Sequence, residues 1–192
     1  MTQDDVLQLF RDVGALLEGH FVLTSGLHST GYLQCALVLQ HPRHAERLGQ
    51  ALGEAVRAAG LEVDVVLSPA MGGLIIGHEV GRALGVRAIF AERQEGSLTL
   101  RRGFSLAAGE RVLIVEDVVT TGKSTVETIA VARAAGAEVA GAASIIDRGG
   151  GASIGVPYVA LASVDFPTFQ PDQVPAYLHD VPAVKPGSRP GR

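Results

Sequence analysis

Between residues 42 and 164 the apolar positions switch repeatedly between a helical spacing and short unbroken runs. Pro42 to Ala59 starts with a proline, places Leu48, Leu52 and Val56 on one face and stops at Gly60, the pattern of a packing helix. Val63-Asp64-Val65-Val66-Leu67 then reads as a buried strand, Leu74 to Leu84 as a helix and Val86 to Phe90 as a strand. Arg111 to Glu116 predicts the central strand, Ser124 to Ala135 a helix stopped by Gly136, Glu138 to Ile146 another strand, and Tyr158 to Val164 the last. Branched apolar runs alternating with helical stretches predict an α/β fold: a mostly parallel open sheet flanked by helices. Ahead of this core, residues 3 to 17 carry a helical stripe (Val6, Leu9, Phe10, Val13, Leu16, Leu17), and residues 21 to 34 alternate around a Ser-Gly turn as two short strands. These predict a small N-terminal hood, residues 1 to 40, over the C-terminal edge of the sheet. One domain is expected over residues 1 to 165, its core at 42 to 164. Most of the chain's 9 prolines fall in a C-terminal extension, 166 to 192, whose end from Lys185 is expected to be disordered.

Composition narrows the chemistry. A chain of 192 residues supports one full core, and 47% hydrophobic content with 24 glycines and no Trp suits close helix–sheet packing. The net charge of −4 argues against nucleic acid or an anionic membrane as the main partner. The lone Cys35 points to a reducing cytoplasm, and the acidic start Met1-Thr2-Gln3-Asp4-Asp5 differs from a basic secretory signal. No apolar run reaches membrane-spanning length, and the 6 histidines show no metal-ligand spacing.

The chemistry concentrates in Glu116-Asp117-Val118-Val119-Thr120-Thr121-Gly122-Lys123-Ser124. Two carboxylates end a buried strand, and a hydroxyl-rich turn with one glycine opens the next helix. Hydroxyls, close backbone and free helix N–H groups together make a phosphate site. Gly122-Lys123-Ser124 copies the end of a P-loop, yet the glycine that a P-loop needs five residues earlier is Asp117, a carboxylate where a triphosphate would lie. The plain alternative is a strand–turn–helix in which Thr and Ser serve as caps. Ser68-Pro69-Ala70-Met71-Gly72-Gly73 follows another strand at the end of the sheet where ligands bind. Asp147-Arg148 stands before three glycines, and an arginine fork there suits a planar carboxylate.

The stretch from Glu116 to Ser124 resembles the 5-phosphoribosyl-1-pyrophosphate (PRPP) signature of the type I phosphoribosyltransferases. Ser25-Gly26-Leu27-His28-Ser29 followed by Tyr32, and the Asp147-Arg148 pair, resemble the orotate branch of that family, over roughly residues 1 to 165. The resemblance implies transfer of phosphoribose from PRPP to orotate in pyrimidine biosynthesis. It implies PRPP binding by Glu116, Asp117, Val118, Val119, Thr120, Thr121, Gly122, Lys123 and Ser124, with the two acids facing the ribose hydroxyls. Thr120 and Arg148 would hold orotate. Mg²⁺ would be held mainly through PRPP and water, with no protein metal site. The charged stretch 91 to 103 is by default a solvated face. By resemblance it is a mobile lid over the pyrophosphate of a neighbouring subunit in a homodimer, with Arg93 the catalytic contact and Arg101 and Arg102 behind it. The best-known orotate enzymes have a lysine where Thr24 stands, another where Met71-Gly72 stand, and a lysine-rich lid with a histidine; this lid has only arginines. Transfer to another base and a non-catalytic PRPP-sensing regulator remain open, although the chain lacks the length and the basic helix of a DNA-binding output.

Overall fold

The computed structural model describes residues 1–23 and 25–185; the expectations at Thr24 and at 186–192 lie outside the described residues. Helix α1, Gln3–Asp12, opens on a reciprocal cap: the Thr2 hydroxyl accepts the Asp5 N–H and the Asp5 carboxylate accepts the Thr2 N–H. It ends sooner than its apolar stripe. Gly14 turns into the left-handed region at φ +68°, so Leu16 and Leu17 belong to β1, Leu16–Val22, rather than to the helix. Strand β2, His28–Leu33, returns antiparallel to β1. A short helix that the apolar pattern did not separate, α2, Cys35–Leu39, leads to α3, Pro42–Ala58.

The core follows as β3 (Val65–Pro69), α4 (Gly73–Leu84), β4 (Arg87–Gln94), β5 (Ser97–Leu100), β6 (Arg111–Val119), α5 (Lys123–Ala134), β7 (Glu138–Asp147) and β8 (Tyr158–Ser163). Six strands lie in the order β5-β4-β3-β6-β7-β8. All neighbours are parallel except β4 and β5. This is the expected α/β sheet. The departure is at residues 91 to 100, where the expected lid continues β4 and returns as β5 in an antiparallel hairpin.

Strand alternation sorts the core into two layers. On β6, Val112 and Ile114 pack towards Ile129 and Ala132 of α5, while Leu113 and Val115 pack with Leu48 and Leu52 of α3 and Ile76 and Val80 of α4. The C-terminal segment is part of the hood. Strand β9, Thr168–Phe169, pairs with β2, and further on Val184 accepts from Val22 N–H and donates to the His20 carbonyl, both at 2.9 Å.

Helices α3 and α4 cross closely because Gly49 lacks a side chain: a Cβ there would lie 2.5 Å from Glu79 Cβ and 2.8 Å from its carbonyl carbon. Gly49→Ala gains about 1 kcal/mol of helix propensity but pushes on backbone in a packed core, which typically costs about 1–3 kcal/mol. Urea denaturation is expected to show a net loss of up to about 2 kcal/mol. A midpoint at or above that of the unaltered chain would show that the two helices separate freely.

Candidate active site

The C-terminal ends of β3, β6 and β7 meet beneath the hood. Strand β6 runs on to Val119, beyond the point where the acids were expected to end it, because Val118 and Val119 pair with Ile146 and Asp147 of β7. Val119 is buried and its carbonyl accepts the Arg148 N–H at 2.8 Å. The turn Thr120-Thr121-Gly122 follows, with Gly122 at φ +75° standing as the N-cap of α5 without a side-chain cap. The Gly150 backbone lies against this turn: a Cβ on Gly150 would be 2.8 Å from Gly122 N. The capping alternative finds little support. Only Thr121 Oγ1 reaches a helix N–H, that of Lys123, at 3.4 Å, and Ser124 Oγ turns away to donate to Glu116 Oε1 at 2.6 Å. Thr120 and Thr121 are exposed, as is Lys123, which lies 3.9 Å from Glu127. An uncapped helix start with exposed hydroxyls beside it can receive an anion.

Glu116 and Asp117 do not form a pair at one surface, since neighbours on a strand point to opposite faces. Glu116 is 7% exposed. Burial pushes its carboxyl up to about 7, against the lowering effect of the Ser124 hydroxyl. Asp117 is half-buried and accepts the Val118 N–H at 2.8 Å. Burial also raises its pKa, and that hydrogen bond opposes the rise. It borders a cleft of about 390 Å³ with Gln34, Met71, Gly72 and Ile75. A Cβ at Gly72 would sit 2.7 Å from Asp117 Oδ1, so glycine there leaves room for the carboxylate in its present position. The Cys35 thiol lies against the same carboxylate; burial first, then Asp117 and Glu116, push its pKa far up, so it stays protonated.

A second cleft, of about 540 Å³, lies between hood and core and is lined by Ser25, Thr120, Thr121, Arg148, Asp165 and Phe166. Thus Thr120, Thr121 and Arg148, far apart in the sequence, come together. Arg148 Nε is buried without a partner among the described residues, and burial pulls its pKa down while Asp165 holds it up. Asp165 and Phe166 were missed in the sequence. Their place directly after a strand, at the ligand-binding end of a parallel sheet, was the available signal.

Arg93 lies apart from both clefts. Its guanidinium donates to the Gly96 carbonyl at 2.8 Å and to Glu127 of α5 at 2.5 Å. Arg102 makes a two-pronged pair with Glu92, at 2.9 and 2.8 Å. Glu92's pKa is lowered by Arg102 first and also by the charge of Arg101. Among the described residues no three His, Cys, Asp or Glu side chains cluster to hold a metal, and no helix is long and apolar enough to cross a membrane.

The raised carboxyl of Glu116 sets a pH dependence. The unfolded chain releases this proton near the ordinary value of 4.5 and the folded chain only near 7, so stability is full below about pH 4.5 and falls as pH rises to 7. Glu116→Gln removes that dependence. Urea denaturation is expected to show the variant gaining on the order of 3 kcal/mol relative to the unaltered chain between pH 4.5 and pH 8. Equal slopes with pH in both proteins would remove Glu116 as the buried acid.

A family model for the phosphoribosyl transferase domain matches residues 36–154. An orotate phosphoribosyltransferase of Erythrobacter litoralis is 56% identical over 191 residues, covering 98% of this chain and 99% of that protein. One of Heliobacterium modesticaldum is 53% identical over 190 residues, covering 98% and 100%. Among solved structures, the orotate phosphoribosyltransferase of Aeropyrum pernix superposes with a TM-score of 0.66 at 28% identity, covering 82% of this chain and 93% of that one. With identity above half along nearly its whole length, this chain belongs to the phosphoribosyl transferase family, in the group of the orotate phosphoribosyltransferases.

Proposed function

We propose that the chain transfers the 5-phosphoribosyl group of PRPP to a ring nitrogen of orotate, releasing pyrophosphate and giving orotidine 5′-monophosphate for pyrimidine synthesis. The observation that carries this reading is the 540 Å³ cleft, where an uncapped helix start with two threonines and an arginine whose buried Nε has no hydrogen-bond partner among the described residues share one wall. The turn from Thr120 to Ser124 takes the 5-phosphate on N–H and hydroxyl donors. Arg148 takes the planar carboxylate of orotate in two-pronged fashion, with Thr120 beside it. In the reaction the C1–O bond to pyrophosphate breaks, the C1–N bond forms, and the ring nitrogen gives up its proton. Positive charge grows on the anomeric carbon, so a nearby carboxylate stabilises it by its field. In this reading Asp117, which borders the 390 Å³ cleft, makes that contact and meets the ribose hydroxyls. Glu116, buried and bonded to Ser124, supports the turn from below and would reach the sugar only by releasing that hydroxyl.

Mg²⁺ belongs to this reading as a partner of PRPP. A single half-open carboxylate fits a hard cation held mainly by substrate oxygens and water, and it would neutralise charge on the leaving pyrophosphate. The site of action is the cytoplasm, where a free thiol such as Cys35 persists. Incubating the protein with PRPP and Mg²⁺ against orotate, uracil, adenine and hypoxanthine in parallel is expected to consume orotate alone. Turnover of a purine, or of none, would overturn the reading.

The reading also includes a homodimer with shared sites. Arg93, held by Gly96 and Glu127, is away from its own Asp117, and a hairpin at the sheet edge can serve a second subunit. In that arrangement Arg93→Ala and Asp117→Ala are each inactive, and mixing them under subunit exchange leaves one intact site in each hybrid. Recovery of about a quarter of the original activity is expected, because half of the dimers are hybrids. Full exchange, followed by mass spectrometry of tagged chains, without recovery would place Arg93 in its own subunit's site or outside any.

A further inference from the structure

Residues 164–167 carry the chain from β8 in the core to β9 in the hood. The crossing is fastened at both ends. Val164 N–H donates to the Asp147 carbonyl at 2.9 Å, and the Pro167 carbonyl accepts the Thr30 N–H of β2 at 3.4 Å. Phe166 stands between these two bonds. The Arg148 guanidinium carbon lies 5.2 Å from the centre of its ring, inside the range in which a cation is attracted by an aromatic face. On the hood side the ring presses against Gly31 of β2, where a Cβ would overlap its carbon atoms. Gly31 is therefore the space that the ring occupies.

The Arg148 side chain makes no hydrogen bond or ion pair among the described residues, and its Nε is buried without a partner. A long side chain with no polar anchor would ordinarily spread over several rotamers. A guanidinium recognises a carboxylate well only when its plane is fixed, because the two N–H···O bonds run parallel. Asp165 acts on the guanidinium through its charge but makes no hydrogen bond to it, which leaves the aromatic face to fix the plane, and Phe166 and Arg148 line the same cleft as Thr120 and Thr121.

We propose that Phe166, seated against Gly31, is the positioning residue for Arg148: its ring holds the guanidinium in the plane that meets the carboxylate of the base. This rests on the orotate reading above and deepens it, because it ties selectivity for a carboxylated pyrimidine to a contact between hood and core. Phe166 acts through Arg148 and forms no bond to the reacting atoms.

Steady-state kinetics with PRPP, Mg²⁺ and orotate test this. Phe166→Leu keeps an apolar side chain but removes the aromatic face, and the KM for orotate is expected to rise roughly ten-fold, the equivalent of one partly desolvated cation–π contact. The KM for PRPP stays within about twofold, since the phosphate turn is untouched. Phe166→Tyr, which keeps the face, restores the orotate value. Gly31→Ala, which displaces the ring, moves the orotate constant in the same direction as Phe166→Leu. In an Arg148→Ala background, Phe166→Leu adds less than about twofold, because the residue it positions is gone. Equal rises in both KM values, or an undiminished effect of Phe166→Leu in the Arg148→Ala background, would overturn the role of Phe166. Absence of orotate turnover in the unaltered chain would overturn the functional reading, and the ligand named here with it.

Discussion

The site depends on β6 and β7 keeping their register to the last residue. Val118 faces Ile146, Val119 faces Asp147, and the next rung is the Arg148 N–H on the Val119 carbonyl. Two more apolar residues after the acids make this extension possible, since the ladder continues only while both strands have side chains to bury. The ladder thus ends with the phosphate turn leaving one strand and Arg148 leaving the other, side by side. Asp147 then bends its own loop back: its Oδ1 accepts the Gly149 N–H at 2.9 Å and the Gly151 N–H at 3.1 Å. That bend lays Gly150 against Thr120 and Gly122. A slip of one residue would exchange the two faces of β6, burying Asp117 and opening Glu116.

The same alternation explains why a buried acid stands under an anion site. Glu116 draws the Ser124 hydroxyl down, and Gly122, at the N-cap of α5, has no side chain to cap it. The helix start is left open to whatever anion comes from outside. A carboxyl that titrates near 7 rather than near 4.5 also carries less than a full negative charge at neutral pH, which weakens its repulsion of a phosphate above it. Burial of this one acid therefore works with the uncapped helix rather than against it.

Much of this was legible in the residues, for identifiable reasons. The alternation of helical stripes with branched apolar runs depends on local spacing, and it placed the core helices and every core strand except β5 within a few residues. The stripe of α1 overran because Leu16 is buried as a strand residue after Gly14, and both periods put it inside. The segment 91 to 100 looked like a solvated charge run because Glu92, Arg93 and Gln94 dominate its composition. Its buried members, Ala91 and Leu98, are separated by a Glu95-Gly96 turn with both residues at positive φ, a two-residue hairpin signal. The separation of Glu116 from Asp117 follows from strand geometry once the strand is known to continue to Val119. The place of Phe166 after a strand was a signal, but its contacts with Gly31 and Arg148 were not legible, because no local spacing connects them to it.

The proline-rich C-terminal segment changes what the hood is. Prolines lack the N–H that a regular strand needs, so this segment touches the hood at separate points instead of along a ladder. Val184 bridges His20 and Val22 through backbone bonds, and the Val181 carbonyl lies 2.9 Å from His20 Nδ1. A carbonyl only accepts, so His20 Nδ1 carries a proton towards it, and His20 Nε2 shares a hydrogen bond with His28 Nδ1 at 2.6 Å. Both hood strands are thereby tied to the strap, and β9 ties β2 again from the other side. A two-stranded hairpin is marginal by itself; with β9 as a third strand and the bonds to Val184, the hood brings Leu23 and Ser25 to the cleft. The crossing at residues 164–167 is then the place where cover and core meet, and there the structure puts an aromatic ring against Arg148, whose buried Nε has no hydrogen-bond partner among the described residues.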